Sequence, residues 1–171
     1  AWSVVCDVSD PQSIRELASS ATDRLERVDI LVNGAGIASS APLHKLTLED
    51  WNRVIAVNAT GTFLCTQAFI SGMVERKWGR VVNVASVAGL TGMRYIAAYS
   101  ASKHAVIGFT RCAAAEVAQH GVTVNAVCPG FVDTDMTAES LDRIVESTGI
   151  SRDEALAALL DTTPQRRLFE P

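Results

Sequence analysis

A tyrosine and a lysine stand four residues apart in the stretch AAYSASKH, residues 97–104, and such a pair could do proton chemistry. On a helix, Tyr99 and Lys103 lie side by side on one face. An ammonium group close to a phenol favours the phenolate, and so lowers the pKa of the tyrosine from about 10 toward the working pH. A phenol tuned in this way can give or take a proton. Because tyrosine and lysine also meet at this spacing on many surface helices, the pair alone does not establish catalysis.

Length and composition limit the kinds of protein that could carry this pair. The chain has 171 residues, of which 48% are hydrophobic and 20% charged, and this is typical of one compact domain with a real core. The net charge is -4 with both signs interspersed, so we expect no nucleic-acid partner. No uninterrupted apolar run approaches the ~18 residues of a membrane span, and the N-terminus has no signal-peptide pattern, so we expect no membrane partner.

The cysteines and histidines do not form the spacings of a disulfide framework or a metal site. There is no C-x-x-C pair, and each cysteine has apolar neighbours, which favours buried thiols in a reducing cytoplasm. The histidines show no ligand spacing, so we expect surface or loop positions and no metal. The residues concerned are Cys6, Cys65, Cys112, Cys128, His44, His104 and His120.

Short runs rich in β-branched residues alternate with helical patterns along the chain. Strands separated by helices of ten or more residues predict parallel βαβ units, and continuous apolar strands predict a sheet that is covered on both faces. The predicted strands are 2–8 (buried), 28–33, 80–86 and 122–130. The predicted helices are 11–25, 48–75, 97–119 and a helical region over 135–161. Asp10 with Pro11 and Thr47 cap two helix starts, and Gly121 is placed to end the third helix.

Polar residues and glycines fall where the predicted strands end. In an open parallel sheet, functional groups gather at the carboxyl ends of the strands. Four strand ends carry such groups, and together they predict one polar rim that includes the start of the Tyr99 helix. These groups are Asp7, Asn33-Gly34-Ala35-Gly36, Ser86 and Pro129-Gly130.

Six motifs, in order and spacing, resemble those of the short-chain dehydrogenase/reductase family. They are CDV, ILVNGAG, VIAVNATGTF, GRVVNVASVAG, YSASK and GVTVNAVCPGFVDTDM, and they run over essentially the whole chain. The resemblance implies a doubly wound, Rossmann-like α/β fold. It implies one partial domain over residues 1–171, within which residues 135–161 form a helical substrate lid.

The resemblance also implies a catalytic set of Asn58, Ser86, Tyr99 and Lys103. Tyr99 would donate a proton to a carbonyl during reduction, or accept one during alcohol oxidation. Ser86 would hydrogen-bond the substrate oxygen. Lys103 would lower the pKa of Tyr99 and bind the nicotinamide ribose, and Asn58 would help to hold a water that links Lys103 to solvent. Each residue has a structural alternative: a turn cap for Ser86, a satisfied buried amide for Asn58, a solvated lysine and a core tyrosine.

By the same resemblance, NADP or NAD would bind along the rim, in contact with Tyr99 and Lys103. Asp7 and Val8 would read the adenine, although Asp7 could instead only end a strand and start a turn. The backbone of Asn33, Ala35 and Gly36 would pack against the adenosine ribose, with Gly34 where the family has a second asparagine. The nicotinamide would lie against a turn formed by Pro129, Gly130, Val132 and Thr134.

The chain resembles the central piece of a family member. The family's first strand, glycine-rich phosphate turn and second strand are not recognised, so the residue that selects NAD or NADP cannot be read. In the strand order 3-2-1-4-5-6, Trp2–Val8 would then lack a sheet neighbour and Ile30–Asn33 would have an open edge. We expect the flanking segments to belong to a longer molecule.

The motifs look most like those of 3-oxoacyl thioester and polyketide ketoreductases, which implies interconversion of a 3-oxo and a 3-hydroxy group on a small-molecule substrate. The lid also resembles 3-hydroxybutyrate dehydrogenases, but Ala38, Ser39 and Ile96 stand where those carry a Gln-His pair and a lysine that hold a small carboxylate. A catalytically silent member that uses the fold for binding or regulation is the alternative from another class. The family further implies a cytoplasmic homo-oligomer, a dimer or tetramer, paired through the Tyr99 helix and the Trp51–Glu75 helix. Gly108 inside the Tyr99 helix suggests close approach of a neighbouring group.

Overall fold

The computed structural model describes residues 1–161 and 163–170. Its described elements form a parallel α/β arrangement, as the sequence predicts. Two compact units can be distinguished, residues 1–128 and residues 129–171. In chain order the helices and strands are α1 Pro11–Leu25, β1 Ile30–Asn33, α2 Leu48–Ile55, α3 Gly61–Glu75, β2 Gly79–Val84, α4 Ala97–Val117, β3 Val122–Val127, α5 Asp135–Thr148 and α6 Arg152–Leu160.

The three described strands pair in the order β1-β2-β3, all parallel. The register sets Asn33 of β1 opposite Asn83 of β2, and Val81 of β2 opposite Val124 of β3. Parallel strands need a crossover between them, and α2, α3 and α4 supply these connections. All three carboxyl ends therefore lie at one end of the sheet, which is where the sequence predicts the polar rim.

One face of this sheet is buried beneath helices. α3 packs on β1 and β2, and α4 packs on β3. The core between them consists of side chains that are at most 8% exposed: Met73, Val81, Val117, Val122 and Val124. Burial of these apolar side chains is the main force that holds the sheet to the helices.

The opposite face of β1 is open. Ile30 and Val32 are 59% and 61% exposed, whereas Asn33 on the other face is 9% exposed. The continuous apolar character of the strand predicts cover on both faces. Within the described residues, that prediction holds for one face only.

Trp2–Val8 is not a strand, contrary to the prediction of a buried one. The segment has no ladder partner among the described residues, and Val5 is 100% exposed. The physical reason is that a strand forms only beside another strand. In the part of the chain that the structure describes, β1 pairs with β2 alone, and no strand lies on the other edge of β1 to pair with Trp2–Val8. The predicted open edge of Ile30–Asn33 is confirmed.

The predicted helix boundaries follow from capping residues. Asp10 accepts hydrogen bonds from the backbone N–H groups of Gln12 and Ser13 at the start of α1, and Thr47 accepts one from Asp50 at the start of α2. After α4 and one 3₁₀ turn, Gly121 takes the left-handed conformation with φ 71°. A side chain there would collide with the carbonyl of Lys77, so glycine is required at this stop.

α2 and α3 join through a π turn, Ala56–Thr60, into one helical run from Leu48 to Glu75. By length and composition alone, this run of 28 residues could cross a membrane, since one 18-residue window has a mean hydropathy of 1.4. Its polar residues Thr62 and Thr66 are buried in the domain and α3 packs on the sheet, so the run also fits the core helix of a folded domain.

The second unit contains the two helices expected for the lid region. Ser151 and Glu154 form a capping box at the start of α6, and Arg152 pairs with Asp142 of α5. Near the end of the chain, Phe169 forms a parallel bridge with Val132.

All four cysteines are free thiols. Cys65 is buried as predicted, but Cys6 and Cys128 are only partly buried and Cys112 on α4 is exposed, so the prediction of buried thiols is confirmed for Cys65 alone.

Candidate active site

Ser86 lies just beyond the carboxyl end of β2 and begins the 3₁₀ turn Val87–Gly89. Its hydroxyl accepts a hydrogen bond from the backbone N–H of Ala88 at 3.1 Å, and the residue is 9% exposed. Ser86 therefore does cap a turn, as its structural alternative states. Because the hydroxyl keeps its own hydrogen, it can also serve a second partner.

Tyr99 and Lys103 occupy the first two turns of α4 and share a face, as their spacing predicts. The Lys103 ammonium lies 5.6 Å from the centre of the Tyr99 ring. The lysine is 5% exposed, and its Nζ donates to the carbonyl oxygen of Val84 at 2.8 Å. The lysine is thus a buried group bound to the end of β2, and the alternative of a solvated helix residue is wrong.

The pKa of the Tyr99 phenol is raised by burial, and a side-chain hydrogen bond with Ser86 opposes this rise. The sequence predicts a lowering by Lys103, so the direction is corrected here. The physical reason is that the phenol is desolvated while the ammonium is directed at the Val84 carbonyl. Burial also lowers the pKa of Lys103, partly offset by the nearby thiol of Cys128. Ser86, rather than Lys103, is the group that favours the phenolate in this arrangement.

Asn58 sits in the π turn and is 1% exposed. Its side-chain oxygen accepts from the N–H of Ile37 at 2.8 Å. Its amide nitrogen donates to the Ile37 carbonyl and to Ser102 Oγ, both at 2.9 Å. Ser102 in turn donates to the Tyr99 carbonyl at 2.7 Å. The side chain of Asn58 therefore ties the glycine-rich turn to α4, as its alternative of a satisfied amide states, and its part in holding a water stays a prediction.

Gly36 brings the glycine-rich turn against two members of the predicted catalytic set. A Cβ atom at this position would lie 3.4 Å from Asn58 Oδ1 and 3.5 Å from Lys103 Nζ. The backbone of the turn consequently approaches the lysine closely. The structure thus brings the predicted residues together in two sets. Gly36 lies beside Asn58 and Lys103, and Ser86 lies beside Tyr99.

Three of the five residues predicted to hold the adenosine end of a cofactor, Val8, Asn33 and Ala35, line one cavity of about 150 Å³, whereas Asp7 and Gly36 are not part of its lining. Val8, Asn33, Gly34 and Ala35 are among the residues that line it, and nothing lies within 4 Å of a Cβ built on Gly34. The binding of an adenosine at this turn stays a prediction. The Asn33 side chain itself faces inward, where it donates to Thr66 at 3.0 Å and to Asn83 at 2.8 Å.

Asp7 is exposed, and its Oδ1 accepts from the backbone N–H of Ser9 at 2.9 Å and from the Ser9 hydroxyl at 2.7 Å. These hydrogen bonds lower the pKa of the Asp7 carboxyl. The carboxylate therefore does start a turn, as its alternative states. Its role in reading adenine stays a prediction.

The residues predicted to face the nicotinamide belong to the second unit. The Val132 carbonyl accepts from Thr137 at 2.6 Å, and Thr134 stands as the N-terminal cap position of α5. A Cβ on Gly130 would lie 3.5 Å from the ring of Phe169, a contact that sequence reasoning missed. Pro129 is the first residue of this unit.

Sequence reasoning also missed a buried polar chain between the strands and the helices. Asn83 is fully buried, accepts from Asn33 and donates to Thr110 Oγ1 at 2.9 Å. The signal was the asparagine inside the otherwise apolar strand RVVNVAS, because a buried amide needs hydrogen-bond partners. Thr110 of α4 accepts from Asn83, and Thr66 of α3 accepts from Asn33 at the other end of the chain.

Comparison with known proteins agrees with this geometry. The sequence profile of the family described as short chain dehydrogenase matches residues 1–145. A 3-oxoacyl-[acyl-carrier-protein] reductase from Synechocystis is 47% identical over 137 residues, which are 80% of this chain and 56% of that protein. An inactive 2-(S)-hydroxypropyl-CoM dehydrogenase 2 from Xanthobacter autotrophicus is 47% identical over 142 residues, which are 82% of this chain and 62% of that protein.

Among solved structures, a crystal structure of a variant actinorhodin polyketide ketoreductase with NADPH superposes with a TM-score of 0.92. It is 39% identical, and the match covers 97% of this chain and 64% of that protein. This chain therefore spans about three fifths of the length of the proteins it matches. The motifs, the parallel sheet and these matches agree, and the chain belongs to the short-chain dehydrogenase family.

Proposed function

We propose that the protein carrying this chain is an NAD(P)-dependent oxidoreductase that interconverts a 3-oxo and a 3-hydroxy group on an acyl thioester or polyketide-like substrate. The observation that carries the proposal is that Ser86, just beyond the end of β2, lowers the pKa of the Tyr99 phenol against the effect of burial, with the buried Lys103 ammonium 5.6 Å from the centre of the same ring. A phenol, a hydroxyl and a cation at one point are suited to protonating a carbonyl oxygen and stabilising the alkoxide that forms.

In the reduction direction, Tyr99 donates its phenolic proton to the substrate oxygen. Ser86 hydrogen-bonds the same oxygen and lowers the energy of the developing negative charge. Ser86 also favours the phenolate left on Tyr99 after transfer, because it lowers the pKa of the phenol, and the Lys103 ammonium lies 5.6 Å from the centre of the same ring. In the oxidation direction the same groups act in reverse, with Tyr99 as the base.

A nicotinamide cofactor supplies the hydride when it is bound. The residues that would hold it are Asp7, Val8, Asn33, Ala35 and Gly36, together with Tyr99 and Lys103. Pro129, Gly130, Val132 and Thr134 would form the wall for its nicotinamide. The cavity of about 150 Å³ and the close approach of Gly36 to Lys103 support this assignment. The actinorhodin relative was solved with NADPH, which supports testing NADPH before NADH.

The substrate class follows from residues near the start of α4 and the glycine-rich turn. Ile96 and Ala38 are apolar and Ser39 is neutral, and all three are half-buried. A small free carboxylate would find no cationic anchor among them. A thioester-linked 3-oxo group carries no charge at that position and suits such a lining.

One alternative has support of its own. A relative that is 47% identical is described as inactive, so a catalytically silent member that binds without turnover is the second candidate. The retention of Asn58, Ser86, Tyr99 and Lys103 favours the enzyme.

The deciding experiment measures oxidation of NADPH and of NADH by the full-length protein with a panel of 3-oxoacyl thioesters and with acetoacetate. We expect turnover with the thioesters and little with acetoacetate. Faster turnover of acetoacetate would favour a small 3-hydroxy acid dehydrogenase. Cofactor binding without turnover of any member of the panel would favour the silent alternative.

We also propose that the protein assembles as a homo-oligomer, a dimer or a tetramer, in the cytoplasm. Phe63 of α3 is 41% exposed and forms an edge-to-face pair with Phe109 of α4, with ring centres 6.0 Å apart. Beside them, a Cβ on Gly108 would have no atom within 4 Å among the described residues outside its own helix, which leaves room for a group from a second copy. Light scattering of the full-length protein tests this, and a monomer mass at all concentrations would contradict it. Fractionation of cells tests the location.

A further inference from the structure

Ser100 lies next to Tyr99 on α4, and its hydroxyl binds outside the helix. The residue is 9% exposed, and its Oγ donates to the carbonyl oxygen of Ala88 at 2.7 Å. A longer contact of 3.4 Å joins the same hydroxyl to the carbonyl oxygen of Thr91. A serine in a helix often bonds back to its own helix instead. Here the hydroxyl connects α4 to the turn that follows β2.

The Ala88 residue that Ser100 holds is the same residue that orients Ser86. The N–H of Ala88 donates to Ser86 Oγ at 3.1 Å, and the carbonyl of Ala88 accepts from Ser100. The two bonds fix Ala88 from both sides. A movement of the Ala88 carbonyl would therefore move the hydroxyl of Ser86.

Gly89 brings this turn into direct contact with the backbone of α4. A Cβ atom on Gly89 would lie 2.7 Å from the carbonyl oxygen of Lys103 and 2.8 Å from Ile107 Cδ1. Such distances are too short for any side chain, so only glycine allows the turn to approach the helix this closely. The turn is thus attached to α4 at two points, Ser100 and Lys103.

These contacts form a closed ring around the candidate proton-transfer pair. Ser86 bonds to Ala88, Ala88 bonds to Ser100, and Ser100 follows Tyr99 on the helix, whose phenol has its pKa lowered by Ser86. In this ring, the hydrogen bond from the Ser100 hydroxyl to the Ala88 carbonyl joins α4 to the turn.

We infer that Ser100 is a positioning residue for the reaction, because its hydroxyl fixes Ala88 and thereby holds the Ser86 hydroxyl against the Tyr99 phenol. The inference rests on the proposed function, since it assigns to Ser100 the positioning of the proposed proton-transfer pair, Ser86 and Tyr99. Ser100 is 9% exposed and its hydroxyl is bonded to backbone carbonyls, so the role assigned to it is to position Ser86. Gly89 supports the same contact by allowing the close approach.

The position of Ser86 has a measurable consequence at Tyr99. The hydrogen bond with Ser86 lowers the pKa of the Tyr99 phenol against the effect of burial. If the turn loosens, that bond weakens and the pKa of Tyr99 rises. Lys103 on the same helix also titrates near this site and Cys128 lies close to it, so both residues are kept unchanged in every variant.

The test is Ser100→Ala in the full-length protein, with the titration of Tyr99 followed by NMR of ring-labelled tyrosine and assigned by Tyr99→Phe. The matched control is Thr110→Val, which also removes a buried hydroxyl from α4 but one bound to Asn83 and Val106. We expect the pKa of Tyr99 to rise in Ser100→Ala and to stay at the wild-type value in Thr110→Val. Turnover in Ser100→Ala should fall roughly tenfold, because slight misplacement of a reacting group is costly.

Ser100→Thr keeps a hydroxyl and should restore the Tyr99 titration toward wild type. If Ser100→Ala does not fold, Ser100→Cys keeps the shape with a weaker donor and should give a smaller rise. The inference is overturned if the Tyr99 titration is unchanged in the Ser100 variants or moves equally in Thr110→Val. The titration needs no turnover, so a wild-type protein without activity would contradict the proposed function and leave this inference to be decided by NMR.

Discussion

The two compact units of the molecule differ in how much of their structure is buried. The first, residues 1–128, has a core of side chains such as Met73, Val81 and Val122 that are at most 2% exposed. In the described part of the second unit, the buried residues are Thr137, Leu141 and Ala155. Its two helices are otherwise joined by exposed contacts such as Arg152 with Asp142.

This difference in burial suits the two roles predicted for the units. Residues that must hold a fixed geometry, such as Ser86 and Tyr99, lie in the well-buried unit. The second unit contains the region 135–161 expected to act as a lid, and a region with few buried apolar contacts opens at a low free-energy cost. Four sets of measurements test whether the two units differ in this way.

The largest effect should come from the core of the first unit. Met73 is fully buried, and its side chain contacts Gly79 so closely that a Cβ there would lie 2.5 Å from it. Met73→Ala should lower the free energy of unfolding by about 2–5 kcal/mol, because it leaves a cavity in a packed core. Chemical denaturation of the full-length protein measures this. A loss below about 1 kcal/mol would mean that this core is looser than its burial indicates.

The buried polar chain of the first unit should give the next largest effect. Asn83→Ala removes the acceptor for Asn33 and the donor for Thr110, and should cost about 1–3 kcal/mol. Asn125→Ala is the control, since Asn125 is exposed on β3 and should change stability by less than about 0.5 kcal/mol. Equal losses in the two variants would show that the amide network does not stabilise the sheet.

Hydrogen exchange compares the two units directly. Amides of α5 and α6 should exchange faster than those of β2, Gly79–Val84, in the absence of substrate. Leu141→Ala, which removes one of the few buried side chains of the second unit, should speed exchange in α5 and α6 while leaving β2 unchanged. Exchange in α5 as slow as in β2 would argue against a mobile lid.

The smallest effects should come from the exposed contacts of the second unit. Arg152 and Asp142 are 52% and 58% exposed, so Arg152→Ala should cost less than about 1 kcal/mol. Ser151→Ala removes the capping box of α6 and should cost about 1 kcal/mol, slightly more than the ion pair. Thermal denaturation of the two variants compares them, and a larger loss for Arg152→Ala would reverse this ranking.

Much of the fold was predictable because the capping residues in the sequence mark the same helix ends that the folded chain adopts. Asp10, Thr47 and Gly121 mark helix ends by chemistry that acts within a few residues. Trp2–Val8 could not be assigned in this way, since a strand exists only where another strand pairs with it.

The sequence identified the residues of the candidate site, but it predicted the wrong direction for the pKa shift of Tyr99. Spacing placed Tyr99 and Lys103 on one face, yet the direction of the Lys103 ammonium depends on the Val84 carbonyl, which only the folded chain brings near. The contact of Ser100 with Ala88 is likewise a product of packing, because Gly89 lets the turn approach α4. No pattern in the sequence marks Ser100 as different from its neighbours.

The central claim is that Tyr99 transfers the proton, and Tyr99→Phe tests it most directly when turnover and cofactor affinity are measured in parallel on the full-length protein. Tyr95→Phe is the matched control, since Tyr95 is 61% exposed and lies four residues earlier. We predict that Tyr99→Phe lowers turnover by about 10²–10⁴-fold, keeps cofactor affinity near that of the wild type, and that Tyr95→Phe changes neither. Near-normal turnover in Tyr99→Phe would contradict the assignment.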